Sequence, residues 1–100
     1  MSCDKKKLKG VNMSFGMALE SLKRGERVCR MGWNGKGMWL ALIPGSRITV
    51  IEGRPLAAAV PAGTLVDYLP HIDMFTAQGQ LVPWLASQTD MLADDWMVVE

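Results

Sequence analysis

Two short stretches hold the side chains best suited to chemistry. The first is PHIDM, where His71, the only histidine, precedes Asp73 by two positions. In an extended segment that spacing puts both side chains on one face. A His-x-Asp pair can supply two metal ligands, or a base and the carboxylate that orients it. Metal sites ordinarily take three or four protein ligands, and the nearest further carboxylates, Asp67 and Asp90, stand at no recognisable spacing. A nucleophilic triad needs a placed Ser or Cys, and nothing here has the form G-x-S-x-G. A hydrogen-bonded structural histidine is the simpler reading, and no metal site is expected.

The second stretch is VPWLASQTDML, where Trp84 is followed by Ser87, Gln88, Thr89 and Asp90. Ser87 and Asp90 have the spacing of a capping box, with the shorter Asp in place of Glu. The free amides of such a turn can also meet an anion. Capping and binding are compatible, and an indole beside the turn can stack on a base. A third segment, GWNGKG at 32–37, is not a Walker A loop, because no Ser or Thr follows Lys36 and a strand follows where a helix should. Asn34-Gly35 is instead a hairpin signal, since both residues tolerate positive φ. Trp33 beside that turn either folds back onto the core or stands out as a flat wall for a planar ligand, and spacing alone favours the core.

These groups must be held by a small frame. A chain of 100 residues makes one domain. Its 49% hydrophobic content, with eight Met and four Trp, exceeds what a core of this size needs. The surplus suits a subunit interface, so a homo-oligomer is expected. A net charge of +1 argues against a broad grip on a nucleic acid polymer or a membrane. Lys5, Lys6, Lys7 and Lys9 read as a solvated basic tail over 1–13, ahead of a single ligand-binding domain over 14–100. Cys3 and Cys29 show no CxxC spacing, the N-terminus is charged rather than apolar, and no apolar run reaches about 18 residues. The expectation is a soluble protein of a reducing cytoplasm.

Ser14 can cap a helix in which Phe15, Ala18, Leu19 and Leu22 share a face, with Glu20 and Arg24 paired on the other side and Gly25 as the stop. RVCRM, MWLALI, RITVI, LPHIDMF, LVPW and WMVVE then read as short strands separated by Gly and Pro turns. Asp94-Asp95 reads as an exposed turn. The predicted class is α+β: an N-terminal amphipathic helix, a mainly antiparallel, hairpin-rich sheet, and a short helical turn near the C-terminus.

Taken together, SFGMALESLKRGERVCRMGWNGKGMWLALIPGS, LPHIDMFTAQGQLVPW and LASQTDMLADDW resemble the second type of Thoeris anti-defence protein, a family of small phage proteins. The likeness runs from Ser14 to Glu100 but not through IEGRPLAAAVPAGT, which looks like the family's variable middle. The resemblance implies a non-enzymatic sponge without a cofactor, acting in the cytoplasm of an infected bacterial host. Such proteins form homo-oligomers, typically tetramers, and sequester a cyclic nucleotide immune messenger, the glycocyclic form of ADP-ribose. Some also take up cyclic oligonucleotides of the CBASS pathway at a separate site. On chemical suitability the ligand-binding residues would be Trp33 and Trp84 for stacking, and Asn34 for a base edge or ribose. Asp73 and Asp90 would accept from hydroxyls, Ser87, Gln88 and Thr89 would meet phosphate, and Arg30 or Lys36 would supply counter-charge. An enzyme that degrades the messenger and a module that binds a host defence protein are the rival expectations.

Overall fold

Ser14 begins the architecture as expected. In the computed structural model, which describes residues 10–33 and 37–99, its hydroxyl accepts from the Met17 amide at 3.2 Å and opens α1, Phe15–Lys23. Ala18 and Leu22 are buried, and Phe15 and Leu19 pack on the same cluster, so the helical spacing marked the correct face. The polar side differs from expectation. Glu20 pairs with Lys23 at 3.6 Å, whereas Arg24 turns to Glu26 at 3.0 Å and to the Ser21 hydroxyl. Arg24 is the cap residue rather than part of the last turn, which frees its side chain to reach forward along the chain.

Among the described residues seven strands follow: β1 Arg27–Arg30, β2 Trp39–Ile43, β3 Ser46–Thr49, β4 Leu65–Tyr68, β5 His71–Phe75, β6 Leu81–Pro83 and β7 Trp96–Val99. Every pairing is antiparallel. Five strands form one sheet in the order β6-β5-β2-β1-β7, while β3 and β4 make a separate two-stranded ribbon. The α+β class is therefore correct, with a division into two sheets that the strand signals did not foretell. β1 and β2 pair antiparallel, and the turn expected at Asn34-Gly35 lies outside the described residues. Between β3 and β4, the segment Pro55–Ala58 is a 3-10 turn.

Alternation along the strands sorts the side chains into two faces. Val28, Leu40, Ile72, Met74 and Val98 point to α1 and pack with Ala18, Leu22 and Trp96 as the main core. On the opposite face lie Cys29, Met97 and Val99, with Trp39 stacked on Phe75 at 4.9 Å. Beyond β7 the chain is tied down further back than Ser14: Met13 exchanges two backbone bonds with Trp96, and the Val98 amide donates to the Gly10 carbonyl. Met13 itself is buried.

From β6 the chain crosses to β7 at the other edge of the sheet. It passes through Trp84 and α2, Gln88–Met91, which lie on the α1 side against Trp96. No helix among the described residues is long and apolar enough to cross a membrane.

Leu22 shows what the core contributes. It is 1% exposed between α1 and the sheet, and Leu22→Ala should destabilise the domain by about 2–5 kcal/mol, a large share of the roughly 5–15 kcal/mol typical of a domain. Urea unfolding at neutral pH measures it as a lower midpoint with an unchanged slope.

Candidate functional site

Arg30 ends β1 directly across from Trp96 in β7, on the α1 side of the sheet. Its guanidinium is shared between two carboxylates. Nη1 donates to Asp90 Oδ1 at 2.7 Å, and Nε donates to Asp95 Oδ1 at 2.8 Å. The side chains are little exposed: 15% for Arg30 and Asp90, and 31% for Asp95. Asp95 Oδ2 also accepts from the Gly32 amide at 2.8 Å, and Asp90 Oδ1 from the Trp33 indole at 3.2 Å. The Trp96 indole donates to the Asp90 carbonyl at 2.9 Å. One ionic knot thus fixes the end of β1, the turn that carries Trp33, the helix α2 and the entry to β7.

Burial would raise the carboxyl of Asp90. Hydrogen bonds from Arg30, Trp33 and Ser87 outweigh that, and hold it below the ordinary carboxylate value. At Asp95, burial is likewise overcome by Arg30 and the Gly32 amide, with the same net lowering. Arg30 is raised by its bonds to Asp95 and Asp90 against the opposing effect of burial. All three groups are therefore charged at neutral pH. Gly32 is needed for the close approach: a Cβ there would lie 2.9 Å from Asp95 Oδ2 and 3.3 Å from Arg30 Nη2.

Aromatic rings surround the knot. Trp96 is fully buried, and Trp33, Trp84 and Phe15 pack round it at centroid distances of 5.4, 6.1 and 5.4 Å. Trp33 and Trp84 both meet it edge to face, at 79° and 84°, the arrangement that ring quadrupoles favour. Each outer indole is half-buried, so part of its surface belongs to the core and part remains open. Ser87 caps α2 by accepting from the Asp90 amide at 3.1 Å. Gln88 and Thr89 lie on that short helix, exposed.

The structure brings Arg30, Trp33, Trp84, Ser87, Gln88, Thr89 and Asp90 to one end of the molecule. Asp73 stands apart. It faces away from α1, across from Ala41 and Pro83, with its Oδ2 3.7 Å from His71 Nε2. There it lines an open groove of about 470 Å³ with His71, Tyr68 and Leu81. Asn34 and Lys36 lie outside the described residues. Among the described residues no cluster of three or more His, Cys, Asp or Glu could hold a metal ion.

Sequence reasoning missed Asp95 and Trp96. Asp95 is no exposed turn residue; it is half of the clamp on Arg30, and only Asp94 beside it is exposed. Arg30 and Asp95 are 65 positions apart, so no local pattern joins them.

The depressed carboxyls give stability a definite pH dependence. An Asp whose folded value lies below its unfolded value, about 3.9, contributes stability that is complete above that value and is lost as pH falls through the folded one. The thermal midpoint should therefore drop as pH falls below about 4, and Asp95→Asn should lower the midpoint at pH 7 and flatten that acid slope. Scanning calorimetry from neutral to acid pH measures both.

Comparison with known proteins bears on the same residues. The Thoeris anti-defense 2-like domain family matches residues 13–99, which include β1, α2 and β7. A protein of Bacillus phage SP01 named "Thoeris anti-defense 2" is 39% identical over 87 residues, covering 87% of this chain and 94% of that protein.

Proposed function

The chain belongs to the Thoeris anti-defense 2-like family, and on that premise we propose that it is a phage anti-defence sponge. It binds a cyclic nucleotide immune messenger, the glycocyclic form of ADP-ribose and by extension cyclic oligonucleotides of CBASS, and holds it uncleaved in the cytoplasm of the infected host. It does so as a homo-oligomer, a tetramer by its resemblance.

The observation that carries this reading is the fixed indole of Trp33. Its Nε1 is anchored on Asp90 and its ring meets Trp96 edge to face, while the residue is only half-buried and Asp90 shares α2 with the exposed Gln88 and Thr89, next to the exposed cap Ser87. A flat, pre-positioned ring next to neutral hydrogen-bonding groups suits a nucleobase, and fixing it beforehand lowers the ordering cost of binding. The acidic groups beside it are poor catalysts, since Asp90 and Asp95 are ionised, held below the usual range and occupied by donors. In this reading they position the indole rather than touch the ligand.

Arg30, with two carboxylates on it, has little charge left for a pyrophosphate. Counter-charge then falls to Lys36. Nanomolar affinity corresponds to about −12 kcal/mol, or roughly −0.3 kcal/mol per heavy atom for a ligand of about forty atoms, an ordinary efficiency.

Two measurements test the proposal. After incubation with glycocyclic ADP-ribose and heat denaturation, chromatography should return the messenger unchanged. A cleaved product would mean an enzyme and turn attention to His71 and Asp73. Since stacking is worth about 1–3 kcal/mol per base, Trp33→Ala should weaken binding by roughly 5- to 150-fold in calorimetry. An affinity within twofold of the parent protein would rule out stacking on Trp33. If no cyclic nucleotide raises the thermal midpoint while a host defence protein binds directly, the interaction-module reading replaces this one.

A further inference from the structure

His71 and Asp73 take no part in the Arg30 ion cluster, and their geometry sets two acceptors side by side. His71 Nδ1 lies 3.0 Å from the Leu69 carbonyl. A carbonyl can only accept, so Nδ1 carries the proton, and in the neutral ring Nε2 keeps its lone pair. Nε2 is 3.7 Å from Asp73 Oδ2, which also accepts. The strand neighbours of Asp73 are Ala41 and Pro83, neither of which has a side-chain donor. Among the described residues no amide, hydroxyl, Lys or Arg donates to its carboxylate. The Asp73 side chain is nevertheless only 19% exposed. A carboxylate largely withdrawn from water and without a donor is costly, and a donor brought by a ligand removes that cost.

The space for such a ligand is the open groove of about 470 Å³ on which both side chains lie. Leu69, Leu81 and Val82 give it apolar walls, and the Tyr68 ring stands 5.4 Å from the imidazole. We propose that this groove binds a small aliphatic amine in its ammonium form, of the diamine and polyamine class. The ammonium donates to Asp73 Oδ2 and His71 Nε2, Tyr68 offers the cation a ring face, and the methylene chain lies along Leu69 and Leu81. The proposal is independent of the sponge reading.

Each rival class of ligand fails a requirement of the groove. A phosphate finds no Lys or Arg among the lining residues. A metal ion ordinarily takes three or four protein ligands, and among the described residues no cluster of three or more suitable side chains exists. An apolar molecule would leave both acceptors without a donor. An alkylammonium supplies several donors from one atom and a tail that apolar walls can cover.

NMR titration of the full chain with cadaverine, a linear diamine, tests the proposal. His71 is the chain's only histidine, so its ring nitrogens give unambiguous signals. At about pH 8, where an ordinary imidazole is neutral, the free protein should show Nδ1 protonated and Nε2 bare. Cadaverine should shift Nε2 saturably with a Kd of about 1 mM or tighter, an ordinary efficiency for so small a molecule. Pentanol, an uncharged chain of the same length, should leave Nε2 unmoved. Asp73→Asn keeps the shape and removes the charge, and should raise the Kd by calorimetry about tenfold or more. Should that variant fail to fold by circular dichroism, His71→Phe decides: a Kd raised about threefold or more supports the site, and an unchanged one refutes it. A proton on Nε2 in the free protein, no saturable shift up to about 10 mM diamine, or an unchanged Kd in folded Asp73→Asn overturns the proposal. Saturation by zinc chloride but not by the diamine would make this a metal site and overturn it equally.

Discussion

The guanidinium of Arg30 is the constraint around which this end of the fold is arranged. A planar fork can address two carboxylates from different edges, which a lysine ammonium cannot do with comparable geometry. Here it joins segments 60 and 65 positions apart in the chain. Two negative charges on one positive would be an unstable balance in a half-buried place, and the surplus is met by neutral donors, the Gly32 amide and the Trp33 indole. Each supporting residue thus has a specific duty. Gly32 leaves room for the Asp95 carboxylate, and Ser87 fixes the first turn of α2, so that Asp90 faces the guanidinium. Taking Arg30 away would leave both carboxylates uncompensated, which costs far more than the pair itself contributes.

Core and site are not separable here. Trp96 is a core residue by burial, yet its indole donates to α2 and its ring carries Trp33, Trp84 and Phe15. Trp33 also packs against the cluster of Cys29, Met97 and Val99, so it touches both hydrophobic clusters. An indole suits such a place because it buries apolar surface while its N–H reaches a partner. The alternative posed by the sequence, a ring folded inward or a ring standing out, has a mixed answer that leans inward: Trp33 packs on both clusters and is only half-exposed at most.

How legible all this was depends on distance along the chain. The Ser14 cap, the apolar face of α1 and the Ser87 cap rest on neighbours three or four positions apart, and all three follow the sequence pattern. The β5–β6 hairpin rests on the turn at Gln78-Gly79, which is equally local. By contrast, LVDY gives little sign of being a strand, because half of its residues are neither β-branched nor aromatic and it pairs outside the main sheet. Asp73 was grouped with Trp84 and Asp90 on chemical suitability. Strand alternation sends it to the other side of the sheet, a separation that depends on which strands adjoin. Asp95 needed the pairing of β1 with β7, which no local feature encodes.

The position of β7 has a bearing on how the molecule is made. This strand supplies Trp96, closes one edge of the sheet, and receives both β1 and the Gly10–Met13 segment. While the ribosome is still translating the residues before 96, α1 and the first hairpins can form, but the central ring and its ion cluster cannot assemble. The sheet edge at β1 stays open during that interval, the condition under which nascent chains pair with the wrong neighbour. Completion of the hydrophobic interior and assembly of the Arg30 ion cluster therefore both wait on the same strand.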